Sequence, residues 1–378
     1  TVILMLATTA TGAIWTSCSP DFGSQGVIDR FGQVKPSLLI VANGYNYNGK
    51  TFRLENKING VLDNIDTIEN VISIDFVDVS CNLNHVSVIE YNELISNTLD
   101  NPDFVQLPFD YPLYIMYSSG TTGDPKGIRL THGNLFSNAS TLKDLWEFDS
   151  SDTVLHVLPV FHVHGLFILL GPSLLSGCQI KYALAFDVKE VIAELADSTV
   201  MAGVPTYYSR LLADPTFSAN CCRSVRVFIS GSAPLSEKLF ARFKARTGKS
   251  VLERYGMTET GVNTSNPING NRIAGSVGQV LPGVKLRISS INKADGGANR
   301  IGSIEVKGEN VFPEYWNLPE KTSEAFTKDG WFITGDRVKI KDGYFKILGR
   351  DSDLINVGGE KVHPSEIEHE LKNFFHDE

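Results

Sequence analysis

Apolar runs alternate with polar connections along most of this chain, and their spacing predicts its elements. Short apolar runs bounded by turn residues predict buried strands; these are Ser37–Val41, Val71–Phe76, Leu113–Met116, Thr199–Met201 and Val225–Ile229. Apolar residues at helical spacing predict helices, at Asp187–Ala196, Thr206–Leu212 and Leu235–Arg246. Strands that alternate with helices are typical of a mostly parallel sheet covered on both faces, so the predicted fold class is α/β.

The last third of the chain has a different pattern. From Gly275 onward, short β-type segments are separated by glycine turns, as in SVGQVLPGVKLRIS. This predicts a small β-barrel-like subdomain at about residues 275–348. The polar segment Gly349–Asp353 that follows is typical of a hinge.

Two longer apolar stretches need an explanation. Thr1–Ile14 lacks the basic start of a signal peptide and is too short to cross a bilayer, so we expect a core strand or helix. Val154–Leu175 contains His156, Pro159, His162 and His164, which are unfavourable in a lipid environment, so we expect a buried helix there. We therefore expect no membrane span.

Length, net charge and cysteine content further limit the kind of protein that this chain can be. The 378 residues suit two or more subdomains. A net charge of −9 without any basic run argues against nucleic-acid binding. Five scattered cysteines, an odd number without metal-binding spacing, indicate reduced thiols in the cytoplasm or the mitochondrial matrix. Nothing in the sequence indicates the oligomeric state.

The segment richest in groups that could bind a ligand is YSSGTTGDPKG, residues Tyr117–Gly127. Glycines let backbone N–H groups approach an anion closely, and the hydroxyls and the lysine add donors and a positive charge. The spacing differs from a Walker loop. An exposed polar turn is the alternative, but the position between a predicted strand and a predicted helix start at Thr131 favours phosphate. The predicted phosphate ligands are Ser118, Ser119, Gly120, Thr121, Thr122, Gly123 and Lys126.

This string resembles the phosphate-binding signature of the adenylate-forming superfamily, which includes acyl-CoA synthetases, peptide-synthetase adenylation domains and luciferases. Residues 1–125 are similar to acetoacetyl-CoA synthetases, for example in GAIWTSCSPDFGSQGVIDRFGQVKPSLLIVANGYNYNGK. Residues 127–378 resemble malonyl-CoA synthetases, for example in LPVFHVHGLF, VLERYGMTETGVNTSNP and IEVKGENVFPEYWNLPEKT. A divergent enzyme, a recombinant gene and a misjoined sequence would each produce this split.

The resemblance implies an acid–CoA ligase that uses ATP, Mg²⁺ and coenzyme A. It also implies a large AMP-binding domain of two mostly parallel sheets with flanking helices over residues 1–348. The hinge and the start of a C-terminal lid would follow over residues 349–378. The family carries a catalytic lysine later in that lid, which we expect the 378-residue chain to lack.

The family motifs assign further roles. The catalytic set is Thr258, Glu259, Lys126 and His162, with Glu259 also the Mg²⁺ ligand. Nucleotide contacts are assigned to Gly231, Ser232, Ala233, Pro234, Tyr255, Gly256, Met257, Thr258, Asp336 and Arg350. Tyr255 would stack on adenine and Asp336 would bind the ribose. Ser352 occupies the hinge position, where family members usually carry Asp or Lys.

The substrate prediction is malonate, with acetoacetate or a non-catalytic ATP-binding fragment as alternatives. A buried second carboxylate needs a fixed cation, and arginine suits that task. Arg272 in SNPINGNRIAGSVG is the candidate, and a surface arginine that supports its loop is the alternative. His162 would line the carboxylate pocket; a zinc site with His164 lacks a suitable third ligand.

Overall fold

The computed structural model describes residues 1–47, 50–84, 87–96, 103–118, 124–289, 299–353, 355–357 and 360–362. The α-helices are α1 (Val2–Ala10), α2 (Ser24–Val34), α3 (Glu55–Leu62), α4 (Tyr91–Ser96), α5 (His132–Leu145), α6 (Leu170–Leu175), α7 (Val188–Glu194), α8 (Pro205–Ala213), α9 (Glu237–Thr247) and α10 (Pro319–Ala325). A π-helical segment covers His164–Leu169, and 3₁₀ turns cover Leu195–Asp197 and Asp351–Asp353.

The strands are β1 (Trp15–Thr16), β2 (Leu38–Ala42), β3 (Gly44–Tyr47), β4 (Lys50–Arg53), β5 (Asn70–Ile74), β6 (Val88–Glu90), β7 (Pro112–Tyr117), β8 (Gly127–Thr131), β9 (Thr153–His156), β10 (Gln179–Tyr182), β11 (Val200–Gly203), β12 (Val227–Ser230), β13 (Leu252–Met257), β14 (Gly261–Ser265), β15 (Gln279–Val280), β16 (Lys285–Ser289), β17 (Asn299–Lys307), β18 (Glu314–Tyr315), β19 (Phe332–Lys341), β20 (Tyr344–Arg350), β21 (Ile355–Val357) and β22 (Glu360–Val362). The predicted α/β class is confirmed.

Helix α9 shows why the sequence forms its elements where it does. The Ser236 side chain caps the helix by accepting a hydrogen bond from the Leu239 N–H. At the other end Gly248 adopts a left-handed φ of 73°, which stops the helix. Between these ends Phe240 and Phe243 are buried on one face. The helix predicted at Leu235–Arg246 is therefore confirmed with shifted ends.

The apolar stretch Val154–Leu175 was predicted as one helix, and the first part of that prediction is wrong. Its first residues belong to β9, which pairs in parallel with β10 and β11. The helical part begins at His164. A short buried strand and a buried helix share an unbroken apolar pattern, so spacing alone does not separate them. The other stretch forms α1, in which Met5 is buried and Ile3 is exposed.

The chain forms two compact units. The first comprises residues 1–132 and 313–319. It contains a four-stranded sheet in the order β1-β7-β8-β18 and a three-stranded parallel sheet in the order β2-β5-β6. Val27 and Phe31 of α2 share a core with Val71 of β5. In the four-stranded sheet only the β1–β7 pairing is parallel, so the prediction of mostly parallel sheets does not hold for this sheet.

The second unit comprises residues 133–312 and 320–378. Its main sheet has seven strands in the order β10-β9-β11-β12-β13-β14-β15, parallel as far as β13 and antiparallel beyond it. Phe228 and Ile229 are consecutive on β12 and belong to different hydrophobic cores. Successive strand side chains point to opposite faces, so both faces of this sheet are buried.

The β-rich part of the second unit is a four-stranded antiparallel sheet in the order β16-β17-β19-β20. Among the described residues β16 and β20 do not pair, so the predicted barrel-like subdomain is an open sheet. Four strands are too few to curl into a closed barrel. Tyr255 of β13 shares a core with Ile304, Val338 and Phe345 of this sheet. No helix among the described residues is both long and apolar enough to cross a bilayer.

Candidate active site

The predicted phosphate loop lies partly outside the described residues, because these exclude positions 119–123. Its flanks are clear: β7 and β8 pair in antiparallel register, with Tyr117 opposite Gly127. The loop therefore joins two strands, and α5 begins only at His132. The expected strand–loop–helix arrangement is wrong because Gly127–Thr131 continues the sheet. The phosphate contacts of this loop stay a prediction.

The base of the loop is held together by hydrogen bonds within the first unit. The Ser118 N–H donates to the Lys126 carbonyl, and the Lys126 N–H donates to Ser118 Oγ, both over 3.0 Å. Gln33 of α2 donates to the Pro125 carbonyl and accepts from the Gly127 N–H. The Lys126 ammonium lies 4.2 Å from the centre of the Tyr315 ring. The predicted ligand Lys126 is thus fixed at its backbone while its charge lies over an aromatic face.

Thr258 and Glu259 occupy the tight turn between β13 and β14. The Thr260 N–H closes this turn on the Met257 carbonyl over 3.2 Å. Gly256 is required here, since a β-carbon at this position would lie 1.9 Å from the Gly261 carbonyl oxygen. Glu259 is buried. The turn therefore presents the predicted phosphate and metal ligands from a rigid strand end.

Glu259 fits the Mg²⁺ role on its donor chemistry. Among the described residues no three His, Cys, Asp or Glu side chains form a cluster that could hold a metal. Nucleotide-bound Mg²⁺ needs only one or two protein carboxylates, because phosphates and water supply the remaining oxygen ligands. One buried carboxylate at the end of a strand satisfies that requirement.

The residues predicted to contact the nucleoside meet between the two sheets of the second unit. Tyr255 donates a hydrogen bond to Asp336 over 2.6 Å. Arg350 lies opposite Asp336 in the β19–β20 register, with Nε 3.6 Å from Oδ1. Burial raises the pKa of the Asp336 carboxyl, while the Tyr255 hydrogen bond and Arg350 act against that rise. Folding thus gathers three predicted nucleotide contacts that lie far apart in the sequence.

The predicted GSAP motif connects β12 to α9. Ser232 has a positive φ of 68°, which is unusual for a residue with a side chain. Its hydroxyl lies 3.1 Å from His164 Nδ1. At the end of the motif the Leu235 N–H donates to Glu253 Oε1 over 2.9 Å. The motif is therefore held at both ends by buried side chains of neighbouring elements.

The two histidines of FHVHG differ in position. His162 is exposed and lies beside the ring of Phe161. His164 is buried, and its pKa is held well below the ordinary value by burial and by the nearby charge of Arg254. Sequence reasoning chose His162 for the substrate pocket, and that role stays a prediction. His164 is the histidine that folding places against the GSAP motif.

Arg254 is a buried charged residue beside the predicted GSAP motif, and the sequence analysis did not single it out. Its side chain is 3% exposed, and neither Nε nor Nη2 has a hydrogen-bond partner among the described residues. Burial lowers its pKa to about 10, so it remains charged at neutral pH. A β-carbon at Gly231 would lie 2.4 Å from its Cζ atom. The available signal was a charged residue inside the buried run VLERYG.

Two other buried polar atoms without a hydrogen-bond partner belong to residues at or near the GSAP motif. In the described part of the chain, Ser230 Oγ and His164 Nε2 are buried without a hydrogen-bond partner. Ser230 precedes Gly231, which the guanidinium of Arg254 approaches closely. His164 contacts Ser232 on the other side of that glycine. Unpaired buried polar atoms and a cation therefore lie along the segment Ser230–Ser232, and such groups are costly to bury unless a polar or charged partner binds them.

Arg272 has a different environment. Its guanidinium donates to three backbone carbonyls, those of Ser250, Pro267 and Ile268. These contacts hold the loop in which Arg272 lies. The structure therefore favours the loop-supporting alternative over direct substrate recognition, because the guanidinium is already engaged.

The predicted hinge is described only at its start. Ser352 is exposed in the 3₁₀ turn that follows β20, and its hydroxyl donates to Asp353 over 3.1 Å. Ser303 ties the same turn to β17 through a hydrogen bond to Asp351. The hinge role and the domain boundaries stay predictions.

Comparison with known proteins gives consistent results. The family described as AMP-binding enzyme matches residues 1–316. The malonate–CoA ligase of Arabidopsis thaliana is 41% identical over 69% of this chain and 46% of its own length. The sulfoacetate–CoA ligase of Cupriavidus necator is 37% identical over 69% of this chain and 52% of its own length. The chain thus spans about half the length of these relatives.

A solved structure is similar over almost the whole chain. The ATP-bound MatB structure from Rhodopseudomonas palustris has a TM-score of 0.86 and 36% sequence identity. The match covers 98% of this chain and 70% of that one. The malonyl-CoA synthetase resemblance predicted from the sequence is confirmed. The acetoacetyl-CoA synthetase resemblance of residues 1–125 stays a prediction.

Proposed function

This chain belongs to the AMP-binding enzyme family, and we propose that it is the core of an ATP-dependent malonate–CoA ligase. In the first step a substrate carboxylate oxygen attacks the α-phosphorus of ATP, which forms an acyl-adenylate and releases pyrophosphate. In the second step the thiol of coenzyme A attacks the acyl carbon, loses its proton, and releases AMP. Mg²⁺, when bound, would offset phosphate charge and orient the leaving pyrophosphate.

The proposed roles follow the geometry of the second unit. Glu259 would hold Mg²⁺ and Thr258 would donate to phosphate from the turn after β13. Asp336 accepts from the ribose hydroxyls, with Arg350 beside it. Five free cysteines support an intracellular compartment, which we propose to be the cytoplasm or the mitochondrial matrix.

The observation that carries the substrate choice is the unpaired, buried guanidinium of Arg254. A buried charge is costly unless a partner balances it. Malonate has a second carboxylate at the end remote from the reacting one, and this group would pair with Arg254. The neutral ketone of acetoacetate would leave the charge unbalanced. The two relatives reported above are named for malonate and sulfoacetate, acids that both carry a second anionic group.

Titration calorimetry with a non-hydrolysable ATP·Mg analogue present tests this proposal. Arg254→Met should raise the Kd for malonate by about 30-fold or more, since removing one partner of a desolvated pair costs about 2–5 kcal/mol. The Kd for the nucleotide should change less than about twofold, and ligand-free stability should not fall, because an unpaired buried charge is removed.

Two further variants sharpen the test. Gly231→Ala keeps Arg254 but displaces its guanidinium, so it should also weaken malonate binding. Arg223→Met removes the same charge at an exposed position and should leave malonate binding unchanged. If Arg254→Met weakens the binding of malonate and of neutral butyrate equally, Arg254 does not recognise the second carboxylate of malonate. If the parent protein binds acetoacetate more tightly than malonate, the substrate proposal is wrong.

A further inference from the structure

A small network of buried polar side chains lies against the turn that carries Glu259. Asn310 Nδ2 donates to the Thr260 carbonyl over 2.7 Å and to Asn263 Oδ1 over 3.2 Å. Asn263 Nδ2 donates in turn to Thr260 Oγ1 over 2.8 Å. Thr260 and Asn263 are fully buried, and Asn310 is 5% exposed. The backbone just after Glu259 is therefore held by amide groups that solvent barely reaches.

The segment that contains Asn310 makes a second contact with the same turn. The Phe312 N–H donates to the carbonyl of Glu259 itself over 2.8 Å. The Phe312 ring is buried and packs against Phe332 with their centres 5.2 Å apart. Asn134 of α5 donates to the Val311 carbonyl over 2.9 Å, which fixes the segment from the other side. The segment thus has its own anchors and can act as a rigid support.

Gly308 leaves space for the side chain of Asn310. A β-carbon at Gly308 would lie 2.4 Å from Asn310 Oδ1, so a larger residue there would displace the amide. The two hydrogen bonds of Nδ2 hold the NH₂ group toward Thr260. Hydrogen-bonded networks of this kind, when fully buried, restrict a backbone to one arrangement.

We propose that Asn310 is a positioning residue for Mg·ATP, which acts by fixing the turn that presents Thr258 and Glu259. The inference rests on the proposed function, since it takes Glu259 as the metal ligand. Partners that orient a metal ligand typically change metal affinity by about 10–100-fold when they are removed. If Asn310 served stability alone, removing its side chain would lower the melting temperature without a specific effect on metal binding.

Calorimetry on the 378-residue chain separates these roles. The readout is the magnesium gain, defined as the Kd for ATP in EDTA divided by the Kd for ATP in excess Mg²⁺. Asn310→Ala should reduce this gain about tenfold, with a smaller change in the Kd measured in EDTA. Asn43→Ala is the matched control, because Asn43 is also a buried amide with several hydrogen bonds but lies in the first unit. It should lower the melting temperature and keep the magnesium gain.

Two additional variants complete the design. Asn310→Ser is a milder change that replaces the amide by a smaller polar group, a hydroxyl, and it should reduce the gain in the same direction if Asn310→Ala fails to fold. Glu259→Gln should abolish most of the gain by itself. Adding Asn310→Ala to Glu259→Gln should then remove little more, because residues that act through one another are not additive.

The possible outcomes are distinguishable. If the parent protein shows no magnesium gain, or Glu259→Gln leaves it intact, the proposed function fails and the inference fails with it. If Glu259→Gln behaves as expected but the Asn310 variants keep the gain and lose only stability, the inference alone is overturned. A reduced gain for both Asn310 variants with an unchanged gain for Asn43→Ala supports the positioning role.

Discussion

The Tyr255 hydroxyl donates a hydrogen bond to Asp336 Oδ2 over 2.6 Å, and both side chains are buried. Tyr255 belongs to β13 of the seven-stranded sheet, and Asp336 belongs to β19 of the four-stranded sheet. The bond therefore ties the predicted adenine contact to the predicted ribose contact. It also leaves Oδ1 of Asp336 turned toward Arg350 at 3.6 Å.

Removing the Asp336 carboxylate should weaken nucleotide binding. Hydrogen bonds to a charged group contribute about 1.5–3 kcal/mol each, so Asp336→Ala should raise the Kd for ATP·Mg by about tenfold or more. Tyr255→Phe keeps the ring and the carboxylate and should have a smaller effect on the Kd. Titration calorimetry measures both values. An unchanged affinity in Asp336→Ala would exclude Asp336 as the ribose ligand.

Glu253 should make stability depend on pH. Burial raises the pKa of its carboxyl to about 7, against a hydrogen bond from the Leu235 N–H that lowers it. Between the ordinary pKa of a glutamate and pH 7, Glu253 therefore holds a proton in the folded state that it has released in the unfolded state. The contribution of Glu253 to the free energy of unfolding then falls as pH rises through this window, by at most about 1.4 kcal/mol per pH unit.

Glu253→Gln should remove that slope. We expect the difference in stability between the variant and the parent to grow in favour of the variant from about pH 5 to about pH 7 and then to stay level. Urea unfolding across this range measures it. Glu190→Gln, at an exposed position on α7, is the matched control. A constant difference at all pH values would mean that Glu253 does not hold the proton in the folded state.

Lys126 should matter more for ATP than for the fold. Its ammonium group lies over the ring of Tyr315, and such a cation–π contact contributes about 0.5–1 kcal/mol at exposed sites. Lys126→Ala should therefore lower the ligand-free melting temperature only slightly and shrink its rise on adding ATP·Mg. Thermal unfolding with and without nucleotide measures both effects. A large loss of ligand-free stability with an undiminished rise would favour a structural role.

Substitution of Arg272 should lower stability and spare malonate binding, which is the reverse of what we expect for Arg254. Arg272→Met removes three hydrogen bonds to backbone carbonyls, so we expect a loss of about 2–4 kcal/mol in the free energy of unfolding. The ratio of malonate to butyrate affinity should change little. Chemical denaturation and calorimetry on the same variant give the two quantities. A selective loss of malonate binding with unchanged stability would restore Arg272 as the substrate arginine.

Several features followed from the sequence alone. The buried strand at Val225–Ile229 and the helix at Leu235–Arg246 were predictable because local spacing and capping residues determine such elements. The motif RYGMTET and the Gly/Ser/Thr-rich loop identified the family because their chemistry is local to a few consecutive residues. The arrangement of the strands around that loop was not predictable, because Gly127–Thr131 joins the sheet only through pairing with β7.

The tertiary structure decided the surroundings of the charged residues near the predicted site. Arg254 and Arg272 both lie near the TET motif in sequence, and only folding buries one guanidinium without a partner while it directs the other to three carbonyls. Asn310 likewise reaches the Glu259 turn from about fifty residues away. Sequence patterns report local geometry, whereas desolvation and long-range hydrogen bonds depend on which distant segments pack together.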